Sequence, residues 1–273
     1  MNVRFRLLCV LLLAGSLFGC AQKIPQRTIT HPAPTAQAES VWQQYLAHTA
    51  TTNTTAPFSL SASFRFKTLE SSNRASLKAW GNGNSPIRVD LLAPFGTVVA
   101  SIRIGEGQVI IFEPEEKKAA YADSGSDVLI RLGLPVPVSI HHVMALLKGD
   151  YGSLFPQQYA SAYLEGTSNV AYVFSSSTGS LSQASALTDG ILILDSNGYP
   201  LEWRQTAPKK FSIVFDKYRD GRPAKITVSS GSDTSALFLI KDRAYPAVPY
   251  SPQALTLSLP ADTEVFPLSV RNQ

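Results

Sequence analysis

Apolar and polar positions alternate one for one through most of this chain. Leu60, Ala62, Phe64 and Phe66 alternate with Ser59, Ser61, Ser63, Arg65 and Lys67. Ala75, Leu77 and Ala79 alternate with Arg74, Ser76 and Lys78. A period of two predicts half-buried strands, because successive side chains of a strand point to opposite faces. Val89–Ile104 (VDLLAPFGTVVASIRI) carries two such runs on either side of Ala93-Pro94-Phe95-Gly96, where a Pro and a Gly turn the chain. Phe95 is the odd member, a large aromatic at a turn tip where polar residues normally sit; it either folds back onto the sheet or stands out as a hydrophobic finger for a membrane or an acyl chain. Gly107–Glu113 and Lys118–Ala122 extend the pattern into an antiparallel meander with one apolar face. Alternation then resumes over Ala160–Glu165, Asn169–Phe174, Gly190–Asp195, Leu201–Gln205, Phe211–Lys217, Pro223–Ser229 and Ser235–Asp242. Turn signals such as Ser196-Asn197-Gly198 and Asp220-Gly221 divide these runs.

Helical spacing is confined to the start and the middle. Glu39–Thr49 places Val41, Trp42, Tyr45 and Leu46 on one face. Ser126–Leu132 does the same with Val128, Leu129 and Leu132, and Leu134-Pro135-Val136-Pro137 breaks it. Ser139 caps a second short helix, Ile140–Lys148, with Ile140, Val143, Met144 and Leu147 as its buried stripe and Gly149 as its stop. Two short apolar helices set within a sheet protein predict a lid over the concave face of that sheet. From Ala244 onward the chain is rich in Pro (Pro246, Pro249, Pro252, Pro260, Pro267) and is expected to wrap the surface. The expected fold is therefore α+β and mainly β, a strongly curved antiparallel sheet of about ten to twelve strands with few helices.

The first residues change where this domain is expected to work. Arg4 and Arg6 precede Leu7–Leu13, an apolar stretch too short to span a bilayer comfortably. It ends in Leu17-Phe18-Gly19-Cys20, which has the form of a bacterial lipobox and implies cleavage before Cys20 and its lipidation. Cys9 would leave with the signal, so the product holds a lone cysteine, which lipidation explains. Several acyl chains would keep the protein on a membrane, well beyond the marginal binding of one chain. Ala21 and Gln22 stand where an Asp marks inner-membrane retention in enterobacterial lipoproteins, so the periplasmic face of the outer membrane is the expected site. Three regions follow: a signal at 1–19, a lipidated Pro-rich tether at 20–38 and a folded domain at 39–273.

Charge narrows the partners. Removing Arg4 and Arg6 takes Lys+Arg from 24 to 22 against 20 Asp+Glu, and no basic cluster exceeds a pair, which argues against nucleic acid. Catalytic constellations are also missing. His31 lies in the tether and His48 near the end of the first helix, while His141 and His142 are helix neighbours that point in different directions, so no metal is expected. Glu113, Glu115 and Glu116 flank Pro114 as a solvated turn. No Ser sits in a G-x-S-x-G elbow, and phosphate-binding and redox motifs are absent. A non-enzyme without cofactor is the expectation.

The order of lipobox, tether, short helix, meander, Pro-hydrophobic-Gly tip, two helices split by P-x-P and further strands resembles the LolB family. These are outer-membrane lipoproteins that receive other lipoproteins from the periplasmic carrier LolA. The resemblance is sharpest in Leu91–Gly96 (LLAPFG) and in Ala120–Pro137 leading into Ser139–Gly149. It implies an unclosed β-barrel capped by helices, with an apolar cavity for acyl chains. It further implies a membrane-insertion loop of Pro94, Phe95 and Gly96, with Phe95 in place of the family's usual leucine. The sheet residues Leu60, Phe64, Phe66, Leu77, Val89, Leu91, Ile102 and Ile104, and the lid residues Ile140, Val143, Met144 and Leu147, are the candidates to line the cavity. The implied partners are a LolA-like carrier, acyl chains of lipoproteins and outer-membrane lipid, with the protein a monomer. Tyr151–Pro156 and the Pro-rich C-terminal stretch do not follow the family pattern. A structural or regulatory envelope lipoprotein without carrier activity, and an envelope hydrolase with an unrecognised catalytic group, are the readings from other classes.

Overall fold

The computed structural model describes residues 29–50, 55–123, 128–131, 138–175, 187–205, 210–231 and 233–268. Its first half builds a long meander. After the short strand β1 (Ile29–Pro32) and helix α1 (Thr35–Ala50) come β2 (Pro57–Lys67), β3 (Ser72–Asn82), β4 (Ile87–Leu92), β5 (Val98–Ile104), β6 (Gln108–Glu113) and β7 (Lys118–Asp123). Helices α2 (Val128–Arg131) and α3 (Ile140–Lys148) interrupt the strands. A second meander follows: β8 (Ser161–Glu165), β9 (Asn169–Phe174), β10 (Gly190–Leu194), β11 (Pro200–Gln205), β12 (Phe211–Arg219), β13 (Arg222–Ser230) and β14 (Thr234–Ala244). The C-terminal stretch adds one turn of helix, α4 (Pro252–Leu255), and a last strand, β15 (Glu264–Pro267).

Among the described residues all fifteen strands belong to one sheet, ordered β1-β8-β9-β10-β11-β12-β13-β14-β2-β3-β4-β5-β6-β7-β15, with β1 and β15 at its edges. The two meanders meet at a seam where β14 pairs antiparallel with β2, from Ser235 opposite Lys67 to Ala244 opposite Ser59. The sheet is antiparallel throughout except for β15, which lies parallel to β7.

One face of this curved sheet holds the core. Along β2 the buried positions include Leu60, Ala62 and Phe66, and along β3 Leu77 and Ala79, in the alternation the sequence carries. Helix α1 covers the second meander, burying Ala38, Val41, Trp42 and Tyr45. The Trp42 ring lies 4.9 Å from Tyr172 and 5.9 Å from Phe174, and Tyr172 Oη donates to the Ala38 carbonyl at 2.7 Å. Trp203 and Phe155, also fully buried, extend this aromatic block with rings 5.0 Å apart. Each such side chain contributes roughly 1.5–3 kcal/mol of burial, so this half of the concave face is a filled core.

Three features differ from the expectation. Residues 29–38, assigned to the tether, instead supply β1 and the first turn of α1, which begins at Thr35. An edge strand of four residues ending in Pro has no alternating signal to read. The strands among the described residues also outnumber the expected ten to twelve: the alternating runs resolve into thirteen, and β1 and β15, which carry no periodicity of their own, add two. Finally, the Pro-rich C-terminal stretch does wrap the surface, but it does so by bonding. Trp80 Nε1 donates to the Ala254 carbonyl at 3.0 Å and Asn82 exchanges two 2.9 Å bonds with Tyr250, before β15 joins the sheet. Cys20 and the signal residues lie outside the described residues.

Candidate functional site

The other half of the concave face is not filled. Phe64, Leu77, Val89, Leu91 and Ile102 from β2–β5 and Val228, Ala236 and Phe238 from β13 and β14 face Leu129 of α2 and Ile140, Val143 and Met144 of α3. Between them lies a cavity of about 80 Å³ lined by apolar side chains alone. Phe64 and Phe238 stack across the seam with rings 4.9 Å apart. Such a space offers no hydrogen bond to water and suits a hydrocarbon. Two larger concavities, of about 380 and 120 Å³, sit at the β5–β6 turn and beside Arg219 and Arg243, and polar and charged groups line both. Their chemistry suits neither an acyl chain nor any apolar ligand.

Eight of the residues named from the sequence meet at this cavity: Phe64, Leu77, Val89, Leu91, Ile102, Ile140, Val143 and Met144. Leu60, Phe66, Ile104 and Leu147 do not line it; they are buried in the surrounding core. Periodicity assigns a side chain to a face but not to a height along the strand, so it cannot separate wall from filling. Leu129, Val228, Ala236 and Phe238 were missing from the named set. Leu129 already lay on the predicted helical face. The other three reach the cavity only because β14 pairs with β2, a contact between distant stretches that no local pattern announces.

The lid helix is fastened unequally. At its N-terminus Ser139 Oγ accepts from the His142 backbone N–H at 3.2 Å, and the Ser139 N–H donates to His142 Nδ1 at 3.3 Å. This reciprocal capping box uses His where Glu or Gln is usual. Burial, and then the neighbouring His141, push the His142 imidazole down to about 4, so its Nδ1 stays free to accept. Burial also lowers His141. At the C-terminus Gly149 adopts φ +82° and its N–H closes the helix onto Ala145 and Leu146. The left-handed φ favours Gly, and a Cβ there would also lie 2.9 Å from the Arg222 side chain, which would have to shift. Arg243 Nε then donates to the Leu147 carbonyl at 2.7 Å and Tyr245 Oη to the Lys148 carbonyl at 3.0 Å. Lys148 itself is buried, donates to Asn84 and lies over the Phe58 ring, and desolvation lowers its pKa.

The β4–β5 turn sits at one end of the cavity wall. Gly96 N–H donates to the Ala93 carbonyl at 2.9 Å and Ala93 N–H to the Thr97 carbonyl at 2.8 Å, with Gly96 at φ +87°. This is a three-residue hairpin loop: Pro94 presets the first corner, and Gly96 supplies the left-handed residue that returns the chain. Phe95, between them, is 100% exposed. It stands four residues beyond the cavity-lining Leu91.

No family model and no curated protein matches the chain. Solved structures do. A LolA superfamily protein from Nitrosomonas europaea superposes with a TM-score of 0.53 at 12% identity, over 81% of this chain and 97% of that one. The fold is LolA-like. A DUF1329 family protein from Desulfovibrio piger matches with a TM-score of 0.51 at 9% identity, over 83% of this chain and all of that one (100%). The LolA-like description covers the curved unclosed sheet and the helices over its concave face. Among the described residues, no helix is long and apolar enough to cross a membrane and no cluster of His, Cys, Asp and Glu has the makings of a metal site.

Proposed function

We propose that the protein is a lipid-anchored acceptor of acylated lipoproteins at the outer membrane. In this reading Cys20 carries the anchor, a LolA-like carrier delivers the cargo, and the cavity under α2 and α3 holds its acyl chains. The exposed Phe95 touches the bilayer when the chains are released. The carrying observation is the wholly apolar cavity beneath a lid, with a fully exposed aromatic at the end of its wall. Each CH₂ moved from water into such a space is worth about 0.8 kcal/mol. Transfer needs no nucleotide and no cofactor, only a rise in affinity from carrier to acceptor to bilayer, and the protein is not an enzyme.

The cavity of about 80 Å³ is roughly half the ~150 Å³ pocket that takes up benzene, so an acyl chain enters only when the lid moves. The bonding pattern supports a swing about the C-terminal end of α3. That end is fastened to Arg243, Tyr245 and Asn84, whereas the described bonds at the N-terminal end are the helix's own capping box.

The test is transfer of a radiolabelled lipoprotein from its periplasmic carrier to membranes, with wild type and Phe95→Glu in parallel. Wild type transfers; Phe95→Glu takes the lipoprotein up and fails to release it into membrane. A wild-type protein that neither accepts nor transfers overturns the acceptor reading. The small resting volume of the cavity favours the second reading, a structural or regulatory envelope lipoprotein with this fold and a closed core, and that result would select it.

A further inference from the structure

Phe95 has a companion. β2 and β3 pair without interruption to Lys67 opposite Ser72, so the turn between them, Thr68–Ser71, points the same way as the β4–β5 turn. β4 ends at Leu92 opposite Ser76, and the β2–β3 hairpin runs on past it from Ala75 to Ser72. At its tip Leu69 is 81% exposed. The turn is well fastened: Thr68 N–H donates to the Ser71 carbonyl at 2.8 Å, and Thr68 Oγ1 accepts from Glu70 N–H at 3.3 Å and Ser71 N–H at 3.1 Å. A large apolar side chain is thus held out in water by a defined turn.

Behind it lie exposed cations on the outer face of the same hairpin. Arg65 is directly opposite Arg74, and Lys67 lies two residues further toward the tip. Like charges placed opposite each other on a sheet repel. Arg74 donates to Ser63 Oγ, and none of the three forms an ion pair with a described residue. Glu70 in the turn itself is exposed as well, so three cations stand behind a single carboxylate of the hairpin and leave a net positive charge. Distances along the strand say which kind of anion it meets. At ~3.3 Å per residue, Lys67 sits about 7 Å behind Leu69, and Arg65 about 13 Å. A bilayer's headgroup layer is roughly 5–7 Å thick on each side. In a molecule tilted so that Leu69 and Phe95 both reach the acyl boundary, Lys67 lies nearest the phosphates, with Arg65 and Arg74 behind it.

We infer that Leu69 and Phe95 are two fingers of one bilayer-docking rim, and that Arg65, Lys67 and Arg74 fit it to anionic phospholipid. This rests on the bilayer contact assigned to Phe95 above, and adds a second point of contact and a lipid chemistry. Two fingers on neighbouring hairpins fix the tilt of the molecule, which one finger cannot do. Near an anionic surface each Lys or Arg strengthens binding roughly fivefold.

The test uses the full chain reconstituted into vesicles, with Cys9→Ser and a bimane label at Leu69→Cys, Phe95→Cys or Val248→Cys. The chain without an added cysteine gives the background from Cys20. Val248, exposed in the C-terminal stretch two residues before the Asn82 partner Tyr250, is the control. Quenching by nitroxide-labelled acyl chains is read in phosphatidylcholine vesicles with and without phosphatidylglycerol. Labels at 69 and 95, but not 248, are quenched when phosphatidylglycerol is present. In phosphatidylcholine alone, with Arg65→Glu/Lys67→Glu/Arg74→Glu, or at ~0.5 M salt, quenching at 69 falls by about half or more. The Gln triple variant, with unchanged circular dichroism, guards against a folding artefact. If 95 is quenched and 69 is not, the second finger is overturned and the Phe95 loop stands. If neither is quenched, both fall. Equal quenching in both lipids, insensitive to charge reversal, overturns the anionic part.

Discussion

Val143 separates the lid's two roles more sharply than its neighbours do. Unlike the fully packed Met144 beside it, its side chain is only half-buried while still lining the cavity. A larger side chain there grows into the empty space before it strains the sheet. Val143→Trp is expected to abolish uptake of a fluorescent fatty acid while lowering unfolding stability by no more than about 1–3 kcal/mol, measured by denaturant titration. Unchanged uptake would mean that acyl chains do not use this cavity. Phe95 illustrates how far a single residue can be read from sequence. A Pro before it and a Gly after it marked the turn, but the residues alone left open whether Phe95 folds back onto the sheet; only the family resemblance pointed to the display the structure shows. The cavity walls were less legible. Phe66 and Phe64 obey the same alternation two residues apart, yet one is core and the other wall, because height along the strand decides.

At the scale of elements, α3 was readable to the residue at both ends, since a Ser cap and a Gly stop leave distinct marks. What the sequence did not disclose is that His142 completes the capping box. This gives the lid a pH dependence with a definite sign. The folded protein holds His142 at about 4, below its ordinary 6.5. The unfolded chain therefore takes up the proton first as pH falls, and stability present above pH 6.5 is lost progressively toward pH 4. His142→Gln keeps an acceptor at the same capping position and does not titrate. Its melting temperature should fall less than that of wild type between those pH values, by differential scanning calorimetry. Parallel curves for the two proteins would show that the box does not control the lid's stability. The short helix α2 was also readable, from Val128 and Leu129 at helical spacing, whereas the edge strands β1 and β15, four residues each, were too short for any period to emerge.

For the whole molecule, the C-terminal stretch acts as a strap across the outside of the sheet. Besides its bonds to Trp80 and Asn82 it accepts from Arg88 at Thr256, pairs Asp262 with Lys117, and covers β7 with β15. A chain ending at Ala244 loses these exposed and half-buried bonds, each worth at most ~0.5–1.5 kcal/mol, and exposes the edge of β7. It should melt at lower temperature and self-associate in size-exclusion chromatography; a stable monomer would assign the strap some other role. The general architecture, a curved meander with helices in the middle, followed from alternation and turn residues. The closure of one meander on the other did not, since β2 and β14 find each other across most of the chain. That seam has a consequence in time. Each meander is built from neighbouring hairpins and forms by local steps, whereas joining them closes a very long loop and is the slow event. The cavity straddles the join, with Phe64 on one side and Phe238 on the other. A ligand lodged there grips both halves at once, so an occupied molecule resists splitting along its weakest line and an empty one is the more perishable of the two.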